Sequence, residues 1–309
     1  MSFDPEGRLR ESIAELGLDA ATVEAAPHQT IGATARGLAG ALERVDELTD
    51  SAPEPLQMLE PIGEGGMGVV HRGVQRSLGR QVAVKTLRAD RRGPAQTRKL
   101  LTEAWITGSL EHPNVVPVHD ILFDAGEPRI VLKHIEGTDW ASLMHDDEAL
   151  RDHLGFEDPL SWNLGILVQL CNAIHFAHCR GILHRDIKPS NVMIGAFGEV
   201  YVVDWGLAVA LEDDGTGRFP LASRAVQLAG TPVYMAPEML TGGDALSART
   251  DVYLLGALLY EIVMGRPPHV GGSLQQIVAS IAVSEPALDA SIPAELRRLI
   301  RRAMAREPG

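Results

Sequence analysis

Hydrophobic and polar positions alternate with period two over much of residues 56–135, a pattern that is typical of half-buried β-strands. Two such runs, VVHRGVQ (69–75) and RQVAVKTL (80–87), flank the turn signal Ser77-Leu78-Gly79, so they predict an antiparallel hairpin. The rest of this region predicts one helix and two further strands, at about 96–110, 115–123 and 129–135. A small β-rich unit with one main helix is therefore expected first.

After Gly137 the apolar spacing becomes helical. One amphipathic stripe comprises Leu164, Leu167, Leu170, Ile174 and Ala177. In NVMIGAFGEVYVVDWG (191–206), two apolar strands are predicted around the turn Gly195–Gly198. The longest apolar stretch, VYLLGALLY (252–260), is far shorter than the ~20 residues that a spanning helix needs. It predicts a buried core helix, no membrane segment is predicted in this chain, and a larger, mostly helical unit follows the β-rich one.

Residues 1–54 differ in composition from the rest of the chain. They carry eleven acidic residues against four arginines and contain two short amphipathic patterns, at 9–16 and 38–45. One interpretation is a docking or autoinhibitory segment. The other is an acidic N-terminal extension that is partly helical or disordered, which we favour because short isolated helices are marginal in water. Pro53 and Pro55 mark the boundary with the following domain.

The overall charge and the cysteine content exclude several classes of protein. A net charge of −13 and a pI near 5.3 argue against general binding of nucleic acid or anionic membranes, since phosphate groups select basic surfaces. The chain has only two cysteines, Cys171 and Cys179, so it lacks a disulfide framework, and a reducing, cytoplasmic location is the simplest interpretation. The start, MSFDPEGRLRES, has no apolar segment typical of a signal peptide.

The glycine cluster GEGGMG, from Gly63 to Gly68, is the first chemical signal. Its spacing alone also fits dinucleotide-binding folds or an ordinary turn. Here the glycines lead into a predicted strand rather than a helix, which argues against a dinucleotide-binding fold. Backbone N–H groups placed over phosphates and an ordinary glycine-rich hairpin both stay open at this point. On the next strand, period two puts Ala83 and Lys85 on one face, and Glu103 on the predicted helix is a candidate partner for the ammonium group.

The octapeptide HRDIKPSN (184–191) places a histidine, an acid, two cations and an amide within eight positions. Folding of the following hairpin brings Asn191 back towards Asp204. Two oxygen-bearing side chains at one open end of a hairpin predict a site for a hard cation such as Mg²⁺. Lys188, two residues after Asp186, is placed to cover the charge of a phosphate group.

Several short motifs resemble those of the protein kinases in order and spacing: GEGGMGVV, VAVK, Glu103, HPN (112–114), HRDIKPSN, DWG (204–206), GTPVYMAPE (230–238) and Asp251. The bacterial eukaryotic-like (Hanks-type) serine/threonine protein kinases are the most similar group. The resemblance implies an α+β, bilobal protein-kinase fold, with a small antiparallel β-sheet N-lobe carrying one main helix and a larger, mostly helical C-lobe. It implies a kinase domain over 55–309, divided into the N-lobe (55–132), the hinge (133–137) and the C-lobe (138–309), which we expect to be cut short near its last helix.

The resemblance also implies a site for ATP with Mg²⁺, or Mn²⁺ in its place. The nucleotide would be contacted by Ile62, Gly63, Gly65, Gly66, Gly68, Val70, Ala83, Lys85, Leu132, Lys133, His134, Ile135 and Met193. Catalysis would depend on Asp186, Lys188, Lys85 and Glu103, and metal binding on Asn191 and Asp204. In this scheme Lys85, held by Glu103, contacts the α and β phosphates. Asp186 orients or deprotonates the substrate hydroxyl, and Lys188 stabilises the transferred phosphoryl group.

Regulation by phosphorylation is implied for residues 204–238, here called the activation segment. Arg185 precedes the catalytic aspartate, as in kinases that respond to a phosphorylated activation segment, and Thr216 and Ser223 are candidate sites. Thr231 is expected to bond to the catalytic residues as part of a shelf for the substrate. Two residues depart from the family pattern, Trp205 in place of phenylalanine and Thr107 in place of a bulky apolar residue.

Three alternatives stay open. A pseudokinase or nucleotide-binding scaffold would keep the fold without the activity, and a small-molecule phosphotransferase would lack the peptide shelf that GTPVYMAPE indicates. Cys171, His175, His178 and Cys179 share one helical face and could bind zinc, although core packing is the preferred explanation. The leading hypothesis is a serine/threonine kinase that acts on proteins in signalling, autophosphorylates, and binds no nucleic acid.

Overall fold

A computed structural model of the chain describes residues 55–65, 68–146, 148, 150, 158–225 and 229–307. The acidic extension (1–54) and Gly66 lie outside the described residues, so the predictions for them stay predictions. The chain divides into two compact units, and the described part of the smaller one comprises residues 55–57 and 75–79. In it the N–H of Arg76 donates to the carbonyl of Pro55 (3.1 Å). The described part of the larger unit lies within residues 58–74 and 80–307 and contains the candidate site.

A five-stranded sheet with strand order β1-β2-β3-β5-β4 forms the small lobe. Its strands are β1 (Leu56–Glu64), β2 (Gly68–Gln75), β3 (Arg80–Leu87), β4 (Val118–Asp124) and β5 (Glu127–Lys133). β3 and β5 are antiparallel, with Ala83 opposite Leu132 and Lys85 opposite Ile130. Val84 is fully buried on the other face of β3, as period two requires.

Helix α1 (Pro94–Ser109) packs on this sheet. A proline in its first turn suits the helix start, where no N–H partner is needed. Leu100 and Ala104 of α1 form a buried cluster with Leu87 and Ile130 of the sheet. The predicted helix at 96–110 is therefore present, shifted by one or two residues, and its apolar face holds it against the sheet.

The large lobe is mostly helical. It contains the α-helices α2 (Trp140–Leu143), α3 (Pro159–His178), α4 (Ala248–Met264), α5 (Leu274–Val283) and α6 (Ala294–Ala303), together with several short 3-10 helices. Two small sheets, with strand orders β6-β8-β9 and β10-β7, are built from β6 (Gly137–Asp139), β7 (Ile182–Leu183), β8 (Val192–Gly195), β9 (Val200–Val202) and β10 (Val209–Ala210). The predicted hairpin around Gly195–Gly198 is confirmed as antiparallel β8–β9.

Helix α4 is the centre of the large lobe. A capping box of Ser247 and Thr250 begins it, and Gly265 with φ 69° ends it. Its run VYLLGALLY was expected to be a buried core helix, and most of those side chains are buried. A Cβ at Gly256 would lie only 2.6 Å from the Cβ of Ala303, so glycine lets α6 approach α4 closely. Among the described residues, no helix has the length and apolar character that crossing a membrane would require.

Helix α3 packs beside α4 and leads into the octapeptide. Asp158 caps its start by accepting hydrogen bonds from the N–H groups of Leu160 and Ser161. Four residues of the predicted stripe are buried, whereas Leu164 is only partly buried against the same core. The α+β, bilobal fold class is thereby confirmed, with a β-sheet lobe followed by a helical lobe.

Candidate active site

A cavity of about 560 Å³ lies between the small sheet and the large lobe. The described nucleotide-contact candidates all line it: Ile62, Gly63, Gly65, Gly68, Val70, Ala83, Lys85, Leu132, Lys133, His134, Ile135 and Met193. At Gly68, where β2 begins, a Cβ would lie 2.6 Å from the carbonyl oxygen of Thr86 on β3. Only glycine allows the two strands to run this close beside the cavity.

Lys85 and Glu103 form an ion pair at the back of the cavity. The Lys85 Nζ lies 2.5 Å from Glu103 Oε1 and 3.7 Å from Asp204 Oδ1. Burial by itself lowers the pKa of Lys85, but the two carboxylates outweigh it and raise that pKa above its usual value. Lys85 is therefore held as a charged ammonium group inside the cavity.

Asp186, Lys188 and Thr231 form a closed triangle of polar contacts. The Thr231 hydroxyl donates to Asp186 Oδ1 (2.8 Å), and Lys188 Nζ donates to Thr231 Oγ1 (3.0 Å) and lies 2.8 Å from Asp186 Oδ2. Asn191 Nδ2 donates to the backbone carbonyl (2.8 Å) and to Oδ2 (3.2 Å) of Asp186. The expected bonds of Thr231 to both neighbours are present.

The ionisation of Asp186 follows from this triangle. Burial raises the pKa of the carboxyl, but hydrogen bonds from Lys188 and Thr231 outweigh burial and leave the pKa below its usual value. Asp186 is therefore an anion at neutral pH. An anion that is 7% exposed can orient a hydroxyl group, and it is a weak general base.

Asp251 fixes the loop that carries Asp186. This fully buried carboxylate on α4 accepts hydrogen bonds from the backbone N–H groups of His184 (2.8 Å) and Arg185 (2.9 Å), and His178 Nε2 lies 2.8 Å away. His184 is also fully buried, and burial lowers its pKa, so the ring is neutral. The backbone of Arg185 has a φ of 68°, a strained value for a residue with a side chain. The anchored carboxylate on α4 stabilises that conformation.

Residues 56–308 match the protein kinase domain family. The chain belongs to this family. Several serine/threonine-protein kinases of bacteria are similar to this chain. A probable serine/threonine-protein kinase of Streptomyces coelicolor is 36% identical over an alignment of 256 residues. The match covers 80% of this chain and 36% of that protein. PknB of Mycolicibacterium smegmatis is 35% identical, and the match covers 81% of this chain and 39% of PknB. PknD of Chlamydia trachomatis is 36% identical, and the match covers 67% of this chain and 24% of PknD. This kinase-domain chain thus spans less than two fifths of each relative's length.

The donor set of the kinase domain fits a divalent cation of the hard class. Asn191 and Asp204 both line the cavity, and the amide nitrogen of Asn191 is used on Asp186, which leaves its oxygen for a metal. Asp204 supplies a half-exposed carboxylate. Within the described part of the chain no cluster of three or more His, Cys, Asp or Glu residues could hold a metal. Two oxygen ligands suffice for Mg²⁺ when nucleotide phosphates supply others.

The predicted regulatory residues lie outside the cavity. Arg185 is buried, and its Nη1 donates to the carbonyl of Leu207 (3.3 Å) in the activation segment. Thr216 and Ser223 are exposed on that segment, and the Thr216 hydroxyl donates to the Asp214 carboxylate (2.7 Å). Both hydroxyls are accessible to a kinase, and the regulatory role of these residues stays a prediction.

The cysteine and histidine face of α3 does not form a metal site among the described residues. His178 is directed to Asp251, as described above, and Cys171 is partly buried, which raises the pKa of its thiol. The Cys179 Sγ lies 3.7 Å from His175 Nε2. The contact of His178 with Asp251 agrees with the preferred packing explanation for that residue, whereas Cys179 is exposed.

Two departures from the family pattern have structural explanations. Thr107, one turn after Glu103 on α1, is buried, and its hydroxyl donates to the Glu103 carbonyl (2.7 Å). Trp205 is buried against His184, with ring centroids 4.5 Å apart, and its Nε1 finds no hydrogen-bond partner in the part of the chain that the structure describes. A bulkier ring is thus accommodated at position 205, with one unpaired donor left in the core.

Several residues of the site were missed in the sequence. Lys99 lines the cavity one turn before Glu103 on α1, and Val203 and Leu207 line it from the other lobe. The i, i+4, i+8 spacing of Lys99, Glu103 and Thr107 was the available signal, because such residues share one helical face. No comparable signal marks Leu207, which follows the strained φ of 60° at Asp204.

Proposed function

We propose that this protein transfers the γ-phosphoryl group of ATP to serine or threonine hydroxyls of proteins, including its own, and acts in signalling. The observation that carries the proposal is the triangle of Asp186, Lys188 and Thr231, which stands beside the cavity that contains the Lys85–Glu103 pair. A hydroxyl acceptor, a phosphoryl group and a nucleotide all find matching groups in this arrangement. The three relatives, all named as serine/threonine-protein kinases, support the same acceptor class.

ATP binding is assigned to the cavity. Gly63, Gly65 and Gly68 would lie over the phosphates, and the ammonium of Lys85 would contact the α and β phosphates while Glu103 holds it in place. The backbone at the hinge, Lys133–Ile135, reads adenine. The N–H of Lys133 already donates to the carbonyl of Pro117 (3.0 Å), so the N–H that adenine uses is that of His134 or Ile135.

The transfer step is assigned to the triangle. The substrate oxygen bonds to the γ-phosphorus as the bond from that phosphorus to the β–γ bridging oxygen breaks, and Asp186 orients the hydroxyl and receives its proton. Lys188 stabilises the charge of the transferred group, and Thr231 holds the side chains of Lys188 and Asp186 in position through its two hydrogen bonds. A divalent cation, Mg²⁺ or Mn²⁺, supplies charge neutralisation of the phosphates when it is bound by Asn191 and Asp204.

Regulation is assigned to the activation segment. Arg185 lies directly before the catalytic aspartate, and a guanidinium pairs well with phosphate, so autophosphorylation at Thr216 or Ser223 is the proposed input. Phosphosite mapping of protein expressed with and without Asp186→Asn checks this assignment. Phosphate on either hydroxyl only in the unaltered protein supports it, and an unmodified segment contradicts it.

The test of activity is incubation of the protein with labelled ATP, Mg²⁺ and a generic basic protein. We expect label in both proteins, and we expect Asp186→Asn to remove it. Asp244→Asn is the matched control, because it makes the same change at an exposed position of the large lobe. Unchanged labelling in Asp186→Asn would remove that residue from its role. Nucleotide binding by calorimetry without any transfer would instead favour a nucleotide-binding scaffold.

A further inference from the structure

Helix α1 faces two partners at once. Lys99, Glu103 and Thr107 line the nucleotide cavity. Thr102 and Trp105, three residues apart and therefore neighbours on the helix surface, face the activation segment instead. The Thr102 hydroxyl donates to the Arg218 carbonyl (3.4 Å), and the Arg218 guanidinium carbon lies 5.5 Å from the centre of the Trp105 ring.

Arg218 belongs to a stretch that is itself anchored. The next residue, Phe219, packs against the core of the large lobe. The carbonyl of Pro220 accepts a hydrogen bond from the N–H of Ala210 on β10 (2.8 Å), and the N–H of Arg218 donates to the Thr216 hydroxyl (3.2 Å). The guanidinium thus projects from a fixed base in the large lobe towards a helix of the small lobe.

The position of α1 decides whether the ion pair exists. Glu103 lies between Thr102 and Trp105 in sequence, and its carboxylate reaches Lys85 at 2.5 Å. Its other oxygen, Oε2, is buried and has no hydrogen-bond partner among the described residues. The contact with Lys85 is therefore the side-chain hydrogen bond that the structure shows for Glu103. A helix moves as a rigid element, and an outward shift of α1 would therefore break the Lys85 contact directly.

We propose that Trp105 and Arg218 are positioning residues, whose cation–π contact joins the activation segment to α1 and keeps Glu103 on Lys85. The proposal rests on the proposed kinase function and adds two residues to it that are not among the described residues lining the nucleotide cavity. Both side chains reach solvent, Arg218 more than Trp105, and an exposed contact of this kind corresponds to roughly a two- to fivefold change in an equilibrium. The expected effects are of that size.

The first experiment measures kcat and KM for ATP in the full chain, with a generic basic protein as acceptor. Arg218→Gln and Trp105→Leu should each lower kcat/KM for ATP about two- to fivefold. Arg218→Lys and Trp105→Phe, which keep a cation and a ring, should stay within about twofold of the unaltered protein. The double variant Arg218→Gln/Trp105→Leu should be no worse than the worse single variant, because both changes remove one shared contact.

The second experiment does not require catalysis. Hydrogen exchange of the α1 amides and the affinity for nucleotide, measured by calorimetry, should report faster exchange and weaker binding in Arg218→Gln. Arg266→Gln is the matched control, since its guanidinium also lies over an aromatic ring, that of Tyr260 at 5.9 Å, in the large lobe. It should change neither quantity.

The outcomes separate this proposal from the kinase assignment. If Arg218→Gln and Trp105→Leu match Arg266→Gln in exchange and in nucleotide affinity, the positioning role is wrong. Effects of the two changes that multiply in the double variant would also overturn it. If the unaltered protein binds nucleotide but transfers no phosphoryl group, the proposed function fails, while exchange and affinity still decide the role of Trp105 and Arg218.

Discussion

The hydroxyl of Thr231 is the most sharply testable element of the site. It is the only link in the triangle that is uncharged, and it contacts both charged partners at hydrogen-bond distance, Asp186 at 2.8 Å and Lys188 at 3.0 Å. Thr231→Val keeps the volume and shape of the side chain and removes both contacts. The direct contact of Lys188 with Asp186 (2.8 Å) remains in the variant, so Lys188 and Asp186 still stabilise each other's position in part.

The expected loss of activity in Thr231→Val follows from the number of hydrogen bonds that are lost and kept. A hydrogen bond to a charged group contributes ~1.5–3 kcal/mol, and with the remaining contact the net loss corresponds to about one such bond. We therefore expect kcat to fall roughly 10- to 150-fold. KM for ATP should hardly change, because Thr231 is not among the described residues that line the nucleotide cavity.

The assay is steady-state kinetics with ATP and a protein acceptor varied in turn. Thr231→Ser should recover most of kcat, since it restores the hydroxyl. Thr241→Val is the matched control, because its hydroxyl donates to the carbonyl of Glu238 (2.8 Å) and not to a catalytic group. The reasoning is refuted if Thr231→Val loses no more activity than Thr241→Val, or if the serine variant is as impaired as the valine variant.

Three further predictions follow from the contacts. Hydrogen bonds from Lys188 and Thr231 outweigh burial and hold the pKa of Asp186 below its usual value. The acid limb that this group gives to the pH profile of kcat/KM should therefore lie at lower pH than an unperturbed aspartate would give. The group is protonated only as pH falls through its lowered folded pKa, so Thr231→Val should move the limb to higher pH, and identical profiles would contradict this. Glu103→Gln should lower kcat/KM for ATP about 10- to 100-fold, because it removes one charge-assisted hydrogen bond to the Lys85 ammonium at 2.5 Å. An unchanged kcat/KM would contradict this prediction. Trp205→Phe should change the free energy of unfolding by only ~1 kcal/mol in urea denaturation, since removal of the unpaired Nε1 offsets the lost packing, whereas Trp205→Ala should lose ~3–5 kcal/mol; equal losses would disprove the offset.

The fold was predictable where local periodicity reflects burial. The β2–β3 and β8–β9 hairpins, helix α1 and the buried run of α4 all follow from alternating or helical spacing of apolar residues. The two-residue strands β7 and β10 were not predictable in this way. They are too short to show a period, and they form where the chain just before His184 meets the chain just after Ala208.

The site was predictable only through its motifs. Thr231 and Asp186 are 45 positions apart, and no spacing rule joins them, so their contact was expected from the kinase resemblance alone. The contact of Trp105 with Arg218 spans a still longer stretch of chain and belongs to no motif. Side chains that meet through tertiary packing leave no periodic signal in the sequence, so a contact of this kind is predictable only where its residues belong to a known motif.

The register of β3 against β5 limits how this chain can change in length. Lys85 faces the cavity only because Val84, its neighbour, occupies the apolar side of the sheet. One residue inserted within β3 ahead of Lys85 would exchange the two faces, burying an ammonium group and exposing a valine. Two inserted residues would restore the facing but lengthen the strand beyond its partner. Insertions and deletions should therefore be tolerated in the turns of this lobe but not inside β3. In a library of single-codon insertions, active variants should be missing at residues 80–87.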